Sequence, residues 1–287
     1  MNFTKLQGAG NDFVLIEGGR DASQNWSQMA KSICDRHFGV GADGILLLLP
    51  SNVADFRMRE FNPDGSEAAA CGNGLRCLAK YAVDIKLANS AVAEISIETM
   101  AGIRKCKSYR ARDNITSIQV GMGRPKFGAE EIPVLIEQVR EGVVDIIPVL
   151  SYSITIEGGN LPLEFVSMGN PHAIYFWEKP PAEFPLSRIG PEIERHKIFP
   201  KRTNFEVARV IDRRQIEVRV WERGVGETLA CGSGACAVAV AAQLHGYADS
   251  KVAVKLPGGT LDVEWDGVGE VSLCGPAEIV FTGEWSE

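Results

Sequence analysis

Two cysteines stand at the start of the same short glycine pattern and could carry acid–base chemistry. Cys71 opens Cys-Gly-Asn-Gly and Cys231 opens Cys-Gly-Ser-Gly, and each segment leads into a predicted helix. The free N–H groups and partial positive charge at a helix start favour a thiolate, so they lower the pKa of a cysteine placed there. The same N–H groups bind a carboxylate, and the glycines let that ligand approach the backbone closely. We therefore interpret Cys71 and Cys231 as candidate catalytic residues.

A thiolate and a thiol on either side of one carbon suit the inversion of an amino acid. One group removes the α-proton from one face, and the other returns a proton to the opposite face. N–H groups fixed around the carboxylate would stabilise the carbanion-like transition state. The sequence shows no evident lysine site for pyridoxal, so we expect racemisation or epimerisation without a cofactor.

Other uses of the cysteines are less well supported. Neither Cys71 to Cys77 nor Cys231 to Cys236 has the spacing of a zinc site, so we expect no metal. A nucleotide-binding loop is weakly supported, because the full G-x-G-x-x-G pattern after a strand is absent. The chain has seven cysteines and no export signal, which disfavours a structural disulfide and leaves Cys71–Cys231 open as a product of oxidation.

Polar residues near the cysteines could complete the site. Asn11 and Asn170 occupy equivalent places, each ahead of a predicted strand, and Asn204 begins another strand. An asparagine at a turn is often only a backbone cap. Here the repeated pattern gathers several of them around one site, so we interpret them as substrate-binding residues.

Charged residues close to the second cysteine could bind the charged groups of an amino acid. Asn62 and Glu222 each lie nine residues before one of the two cysteines. Glu222 could pair with an ammonium group, and Arg223 could bind a carboxylate through its two parallel N–H groups. His172 could polarise a thiol or carboxylate, or serve a structural role.

An internal repeat organises the chain. The segment 70–74 recurs 160 residues later as 230–234, and Phe56–Phe61 matches Ile216–Trp221 at the same offset. Gly10-Asn11 matches Gly169-Asn170 with an offset one residue shorter. Landmarks repeated in one order predict two homologous halves, joined within 123–150.

Each half has the same predicted elements. Apolar spacing predicts helices near 26–36 and 186–196, and one helix begins after each candidate cysteine. Strands are predicted near 56–61, 92–98, 102–109, 115–121, 151–157, 161–168, 172–177, 204–211 and 215–222. Strands with a few helices indicate the α+β class: two similar pseudosymmetric α+β domains, with the active site in the cleft between them.

Composition limits the kinds of protein this chain could be. Its 287 residues suggest two domains, and 45% hydrophobic with 23% charged residues is typical of a globular protein. A net charge of −7 counts against a nucleic-acid binder. No apolar run reaches the ~18 residues of a membrane span, and no signal peptide is evident, so we expect a cytoplasmic protein with no membrane partner.

Five motifs occur together in this sequence. They are Gly8-Ala9-Gly10-Asn11-Asp12-Phe13, the segment from Phe61-Asn62-Pro63-Asp64-Gly65 to Cys71-Gly72-Asn73-Gly74, Gly169-Asn170-Pro171-His172, Arg202-Thr203-Asn204, and the segment from Glu222-Arg223-Gly224 to Cys231-Gly232-Ser233-Gly234. With these motifs the chain resembles the diaminopimelate epimerase family over essentially its whole length.

The resemblance implies a function in lysine and peptidoglycan-precursor synthesis: cofactor-independent interconversion of L,L-diaminopimelate and meso-diaminopimelate. By the family's pattern Cys71 and Cys231 are the base and acid, supported by His172 and Glu222. The implied substrate-binding residues are Gly72, Asn73, Gly232 and Ser233 at the reacting carboxylate, Asn62, Asn204 and Arg223 at the distal end, and Asn11, Asn170 and Glu222 in the rest of the pocket.

From the repeat, the expected domains are residues 1–125 and 126–274. The resemblance also implies that a final strand in 275–287 returns to the first domain and that the protein is a homodimer. Two positions depart from the family. Gly44 stands where many members carry Gln, and Phe281 stands where some carry a Tyr implicated in dimerisation.

Two alternative functions remain open from the sequence. A proline racemase or hydroxyproline epimerase would share the two halves and the thiols, but would not need Arg223 and so many asparagines for a distal amino-acid end. A non-catalytic amino-acid binding protein would keep the pocket but have no use for paired thiols.

Overall fold

The chain divides into two compact units, each described here by itself. The computed structural model describes residues 1–18, 24–69, 71–85, 87, 94–111, 114–135, 143–147, 149–157 and 159–286. The N-terminal unit consists of Met1–Gly121 and Cys274–Glu287, and the C-terminal unit of Met122–Leu273. The first division therefore falls after residue 121, where the sequence led us to expect it after residue 125.

Both units combine strands with few helices. The strands are β1 (Asn2–Gly8), β2 (Asn11–Glu17), β3 (Gly44–Leu49), β4 (Phe56–Phe61), β5 (Glu67–Ala68), β6 (Glu94–Thr99), β7 (Gly102–Ala111), β8 (Asn114–Gly121), β9 (Val143–Ile147), β10 (Val149–Ile156), β11 (Gly159–Ser167), β12 (Pro171–Phe176), β13 (Asn204–Asp212), β14 (Gln215–Glu222), β15 (Gly226–Thr228), β16 (Lys251–Leu256), β17 (Gly259–Glu264), β18 (Ser272–Gly275) and β19 (Glu278–Glu284). The helices are α1 (Trp26–Ile33), α2 (Gly72–Asp84), α3 (Leu186–Glu194) and α4 (Gly232–Leu244). The predicted α+β class is confirmed.

The two units pair their strands in the same way. In the N-terminal unit β1 is antiparallel to β2, β2 parallel to β3, β3 antiparallel to β4, β4 parallel to β6, and β6 antiparallel to β7. In the C-terminal unit β11 to β14, β16 and β17 repeat that alternation. The repeat seen in the sequence is therefore a repeat of one sheet.

The last strand of the chain belongs to the N-terminal unit. β19 pairs antiparallel with β1, from Asn2 opposite Glu284 to Gln7 opposite Glu278. β1 in turn pairs with β2, so the end of the chain extends the sheet that its beginning forms.

Each unit buries one helix that starts at a candidate cysteine. α2 contacts β1, β7 and β8, whereas α4 contacts β11, β12 and β13. α4 consists almost wholly of small apolar residues, and ten of its residues are buried. Small side chains on nearly every face let it lie deep in its unit.

Most predicted elements are confirmed, with differences at their ends. α1 ends at Ile33 rather than near 36, because Cys34 caps the helix, with its N–H donating to the Ala30 carbonyl. The strand predicted near 92–98 begins at Glu94, and residues 92 and 93 lie outside the described residues. Among the described residues, no helix is long and apolar enough to cross a membrane.

Candidate active site

Cys71 occupies the N-cap of α2, in the N-terminal unit. Its sulfur accepts a hydrogen bond from the Gly74 N–H at 3.5 Å, and its backbone is extended, with φ −133° and ψ 124°. The thiol lies 3.9 Å from Oδ1 of Asn11. A thiol placed here meets the free N–H groups of the first helical turn, which stabilise negative charge on sulfur.

Asn11 is held in one orientation by its neighbours. Its Nδ2 donates to Oδ2 of Asp43 at 2.7 Å, and its Oδ1 accepts from Nδ2 of Asn73 at 3.0 Å. Because Asp43 is an acceptor, the amide nitrogen of Asn11 must face it, and the carbonyl oxygen must face Cys71 and Asn73. The structure thus brings together three of the predicted site residues, Asn11, Cys71 and Asn73.

Asp43 belongs to a network of charged residues that the sequence did not single out. Arg36 donates to Asp43 and to Asp12, at 2.7 Å in each case, and Lys5 lies 2.5 Å from Asp12. Burial opposes ionisation of Asp12, but hydrogen bonds from Arg36 and Lys5 outweigh it and lower the pKa of that carboxyl. The network keeps Asp12 and Asp43 in place behind Asn11.

Cys231 occupies the N-cap of α4, in the C-terminal unit. Its sulfur accepts from the Gly234 N–H at 3.3 Å and lies 3.5 Å from Oγ of Ser233. The side chain is only 5% exposed. Burial, and then the neighbouring Glu222 carboxyl group, raise the pKa of Cys231 well above its usual value, so the lowered pKa predicted for a cysteine at a helix start is wrong for this residue.

A chain of polar side chains leads away from Cys231. Nδ2 of Asn170 donates to Oγ of Ser233 at 3.2 Å, and Oδ1 of Asn170 lies 3.0 Å from Nε2 of His172. Nδ1 of His172 lies 2.7 Å from Oε1 of Glu206, and both of these side chains are fully buried. His172 therefore reaches the thiol through Asn170 and Ser233.

Glu222 also lies close to Cys231. Burial raises the pKa of the Glu222 carboxyl, and hydrogen bonds from Thr228 and Cys231 oppose that rise. A protonated Cys231 thus donates to a carboxylate, which favours the thiol form of this residue.

The residues predicted to bind the distal end of a substrate form hydrogen bonds with groups other than the two thiols. Nδ2 of Asn204 donates to the Pro171 carbonyl and its Oδ1 accepts from the Arg223 N–H, both at 2.9 Å. Arg223 is exposed, and Nη1 donates to the Lys201 carbonyl at 3.1 Å. Asn62 bonds within its own turn, to Ser66. Their contact with a substrate stays a prediction.

Each candidate helix start packs against a buried glutamate that sequence reasoning missed. A Cβ on Gly234 would lie 2.7 Å from Oε1 of Glu206, and a Cβ on Gly74 would lie 3.3 Å from Oε2 of Glu60. The second glycine of each Cys-Gly-x-Gly pattern thus leaves room for a carboxyl group, with less space at Gly234 than at Gly74. The available signal was a glutamate in each flanking strand. Alternation with Phe205 and Val207 assigns Glu206 to a solvent face, whereas Glu60 shares the face of the apolar Phe56 and Met58, so its burial could have been predicted.

Within the described part of the chain, no group of three or more His, Cys, Asp or Glu side chains is arranged to hold a metal ion. The arrangement at each helix start instead combines a thiol, free backbone N–H groups and amide side chains. Such a set can bind a carboxylate and exchange a proton at the adjacent carbon.

Comparison with known proteins gives consistent matches over the full length. A family model described as diaminopimelate epimerase matches residues 3–128 and 164–280. A diaminopimelate epimerase of Methanococcus maripaludis is 46% identical over 285 residues, which cover 99% of both chains. One of Acetivibrio thermocellus is 45% identical over 287 residues, covering 99% of this chain and 98% of that one.

Solved structures support the fold at lower identity. A hydroxyproline epimerase from Agrobacterium vitis superposes with TM-score 0.73 at 14% identity, covering 99% of this chain and 91% of that one. A phenazine biosynthesis protein from Bacillus anthracis gives TM-score 0.72 at 18% identity, covering 100% and 99%. These likenesses concern the fold alone. The family match and the full-length relatives carry the assignment: the chain belongs to the diaminopimelate epimerase family.

Proposed function

We propose that this protein interconverts L,L-diaminopimelate and meso-diaminopimelate without a cofactor, as a step towards lysine. The observation that carries the proposal is the pair of thiols at equivalent helix starts, Cys71 and Cys231, each bonded to the N–H of the second glycine of its pattern. Family membership supplies the substrate.

In this mechanism the two thiols act on opposite faces of one α-carbon. The raised pKa of Cys231 keeps its proton on sulfur in the empty protein, which leaves the base role in the first step to Cys71. The Cys71 thiolate takes the α-proton, and the C–H electron pair passes towards the carboxylate. The Cys231 thiol then gives its proton to the other face, so each turnover exchanges the roles of the sulfurs.

Backbone and amide groups at the helix starts would hold the reacting carboxylate. Gly72 and Asn73 belong to the first turn of α2, and Gly232 and Ser233 to the first turn of α4. Their N–H groups are fixed before the substrate arrives, so they can stabilise negative charge as it develops. Asn11, Asn170 and Glu222 complete the pocket in this proposal.

The distal end of the substrate would be bound by Arg223, Asn62 and Asn204. Arg223 is the best partner for a second carboxylate, because its exposed guanidinium has donors beyond the one bonded to the Lys201 carbonyl. A proline racemase or hydroxyproline epimerase needs no such partner, since its substrate has a single carboxylate.

The test is α-proton exchange in heavy water. The protein is incubated separately with L,L-diaminopimelate, meso-diaminopimelate, L-proline and trans-4-hydroxy-L-proline, and deuterium at the α-carbon is followed by NMR. We expect exchange with both diaminopimelate isomers and none with the two cyclic amino acids. Exchange with proline or hydroxyproline alone would replace the proposal by that alternative, and exchange with none would favour a binding protein.

We further propose that the protein is a cytoplasmic homodimer. None of the seven cysteines, all of which lie in the described part of the chain, forms a disulfide, which suits a reducing compartment. Strand β19 exposes three large apolar residues, Ile279, Val280 and Phe281, at 37%, 56% and 47%. Light scattering of the wild-type protein should give twice the mass of one chain. The variant Phe281→Glu should give the mass of a single chain. A monomeric wild-type protein at micromolar concentration would contradict the dimer.

A further inference from the structure

The C-terminal unit has a buried polar pair where the N-terminal unit has two apolar residues. In the first parallel strand pair, Phe13 lies opposite Gly44, and Leu46 follows two residues later on β3. In the equivalent pair, His172 lies opposite Asn204, and Glu206 follows two residues later on β13. His172 and Glu206 therefore occupy the places of Phe13 and Leu46. A polar pair is costly to bury, so this replacement calls for a functional reason.

Hydrogen-bond chemistry fixes the number of protons that the pair holds. Oδ1 of Asn170 can only accept, so Nε2 of His172, 3.0 Å away, must carry a proton and donate it. Nδ1 of His172 and Oε1 of Glu206, 2.7 Å apart, then share one further proton. Whether that proton rests on nitrogen or oxygen, the pair carries no net charge.

Burial favours the form with the proton on the carboxyl group. Oε2 of Glu206 has no hydrogen-bond partner among the described residues, so an ionised carboxylate would leave one of its oxygens unsatisfied in the core. Burial also raises the pKa of Glu206, while the nearby His172 acts in the opposite direction. A carboxylic acid that donates to Nδ1 leaves the Nε2–H in place for Asn170.

The Nε2 proton of His172 and the orientation of the Asn170 amide require each other, and the carboxyl proton of Glu206 favours this combination. With Oδ1 facing His172, Nδ2 must face Ser233, and it donates to Oγ at 3.2 Å. The hydroxyl hydrogen of Ser233 is then available to the Cys231 sulfur, 3.5 Å away. In the N-terminal unit Asp43 accepts from Nδ2 of Asn11, so there the carbonyl oxygen faces the thiol.

We propose that Glu206 is a positioning residue of the proposed epimerase. Through His172 it orients the amide of Asn170, so that the Ser233 hydroxyl group can donate to Cys231, whereas Oδ1 of Asn11 accepts from Cys71. The inference rests on the proposed function, because it concerns proton transfer by these two thiols. Asn11 accepts from a Cys71 thiol, and Ser233 donates to a Cys231 thiolate. Both contacts stabilise the state reached after Cys231 has given up its proton.

This arrangement offsets the preference of the empty site. Burial and the Glu222 carboxyl group keep the proton on Cys231, whereas the two amide orientations favour its transfer. His172, Glu222 and Glu206 are the titratable groups that act on this end of the site in the C-terminal unit. Bringing the two protonation states closer in energy suits a reaction that must run in both directions.

The first experiment compares Glu206→Leu, which copies Leu46, with Glu206→Gln. We expect the Leu variant to lose about tenfold to a hundredfold in kcat, the value of one hydrogen bond to a charged group, with KM little changed. The Gln variant should recover most of that loss, because its amide N–H can still donate to Nδ1 of His172. Wild-type kcat in a folded Leu variant, or a Gln variant no better than Leu, would overturn the proposal.

A second measurement uses the wild-type protein and does not depend on the reaction or on any variant's folding. The chain has four histidines, and ¹⁵N shifts of their ring nitrogens report where each proton lies. The variant His172→Phe with Glu206→Leu, which copies Phe13 and Leu46, identifies the His172 signals. Where that variant does not fold, replacing His37, His196 and His245 in turn identifies them by elimination. We expect a protonated Nε2. A bare Nε2 with the proton on Nδ1 would overturn the proposal, whereas absence of exchange with diaminopimelate would instead overturn the proposed function.

Discussion

A single polar neighbour determines the orientation of the amide group of Asn11, and another determines that of Asn170. The two residues are equivalent in the repeat, yet Asp43 turns one amide and His172 turns the other. An amide can present a donor or an acceptor in nearly the same space, so the neighbour and not the asparagine sets its chemistry.

Asp43 should therefore be needed for activity although it is expected to touch no substrate. In Asp43→Ala the Nδ2 of Asn11 loses its acceptor, and we expect kcat/KM to fall about tenfold. The control is Asp249→Ala, because that side chain is 38% exposed beside Asp43's 40% and its ion pairs, with Arg213 and Arg214, include no candidate site residue. Equal activities of the two variants, measured by α-proton exchange, would remove Asp43 from the site.

Arg223 should determine specificity with little effect on stability. Its guanidinium is exposed and bonds one backbone carbonyl, so its loss leaves no buried partner unsatisfied in the free protein. We expect Arg223→Ala to lower kcat/KM for diaminopimelate about a hundredfold or more, and Arg223→Lys to lower it less. The melting temperature is the control. A parallel fall of activity and melting temperature would assign Arg223 a structural role instead.

At the scale of elements, the starts of α2 and α4 combine a cysteine cap with a glycine that admits a carboxyl group. Leu46 lies opposite Glu60 in one unit, and Glu206 lies opposite Val220 in the other. Glu60 therefore lies on the second strand of its antiparallel pair and Glu206 on the first strand of the equivalent pair. The two glutamates approach equivalent glycines from opposite strands. The helix N-terminus favours such a negative or hydrogen-bonding group beneath it.

Gly234→Ala should therefore cost both stability and activity. Alanine normally stabilises a helix by about 1 kcal/mol relative to glycine, but here its Cβ would lie 2.7 Å from Oε1 of Glu206. We expect a lower melting temperature and slower α-proton exchange in this variant. Gly74→Ala should have a smaller effect on both, because the atom nearest to its Cβ would be a Leu46 methyl carbon 3.0 Å away. A melting temperature at or above the wild-type value in Gly234→Ala would contradict the crowding.

The helix starts could be predicted from sequence, but the burial of Glu206 beneath one of them could not. The repeated Cys-Gly-x-Gly pattern marks α2 and α4, since a capping cysteine and two glycines precede a run rich in apolar residues in both. Glu206 in the segment Asn204–Val207 follows the alternation of a half-exposed strand, yet it is fully buried, because α4 covers that face of β13. Alternation reports which residues share a face and not what covers that face.

Across the whole molecule, the two units share one pattern of strand pairing but differ in the charged residues that they contain. The C-terminal unit contains the buried His172–Glu206 pair, whereas the N-terminal unit buries Glu60 and Arg76 and has an ion-pair network around Asp12 and Asp43. The duplication thus keeps the strand pairing while the polar groups diverge. The net charge of −7 means that protonation of carboxylates also affects the stability of the whole chain.

Asp12 should contribute to acid stability. Its folded pKa lies below the ordinary value, so its contribution is present above that ordinary value and is lost as the pH falls through the lower one. Asp12→Asn should therefore reduce the free energy of unfolding at neutral pH and flatten its fall below about pH 4. Urea unfolding across that range measures both, and an unchanged acid limb would contradict the assignment.

Epimerisation by this mechanism requires both thiols, and deuterium incorporation by single cysteine variants tests that requirement. Cys71→Ser and Cys231→Ser are each given L,L-diaminopimelate and meso-diaminopimelate in heavy water, beside Cys274→Ser, which changes a cysteine outside both helix starts. Because serine is a far weaker acid than cysteine, we predict that each of the first two loses at least about a hundredfold in epimerisation while the control keeps its rate. Wild-type epimerisation in either Cys71→Ser or Cys231→Ser would contradict the two-thiol mechanism.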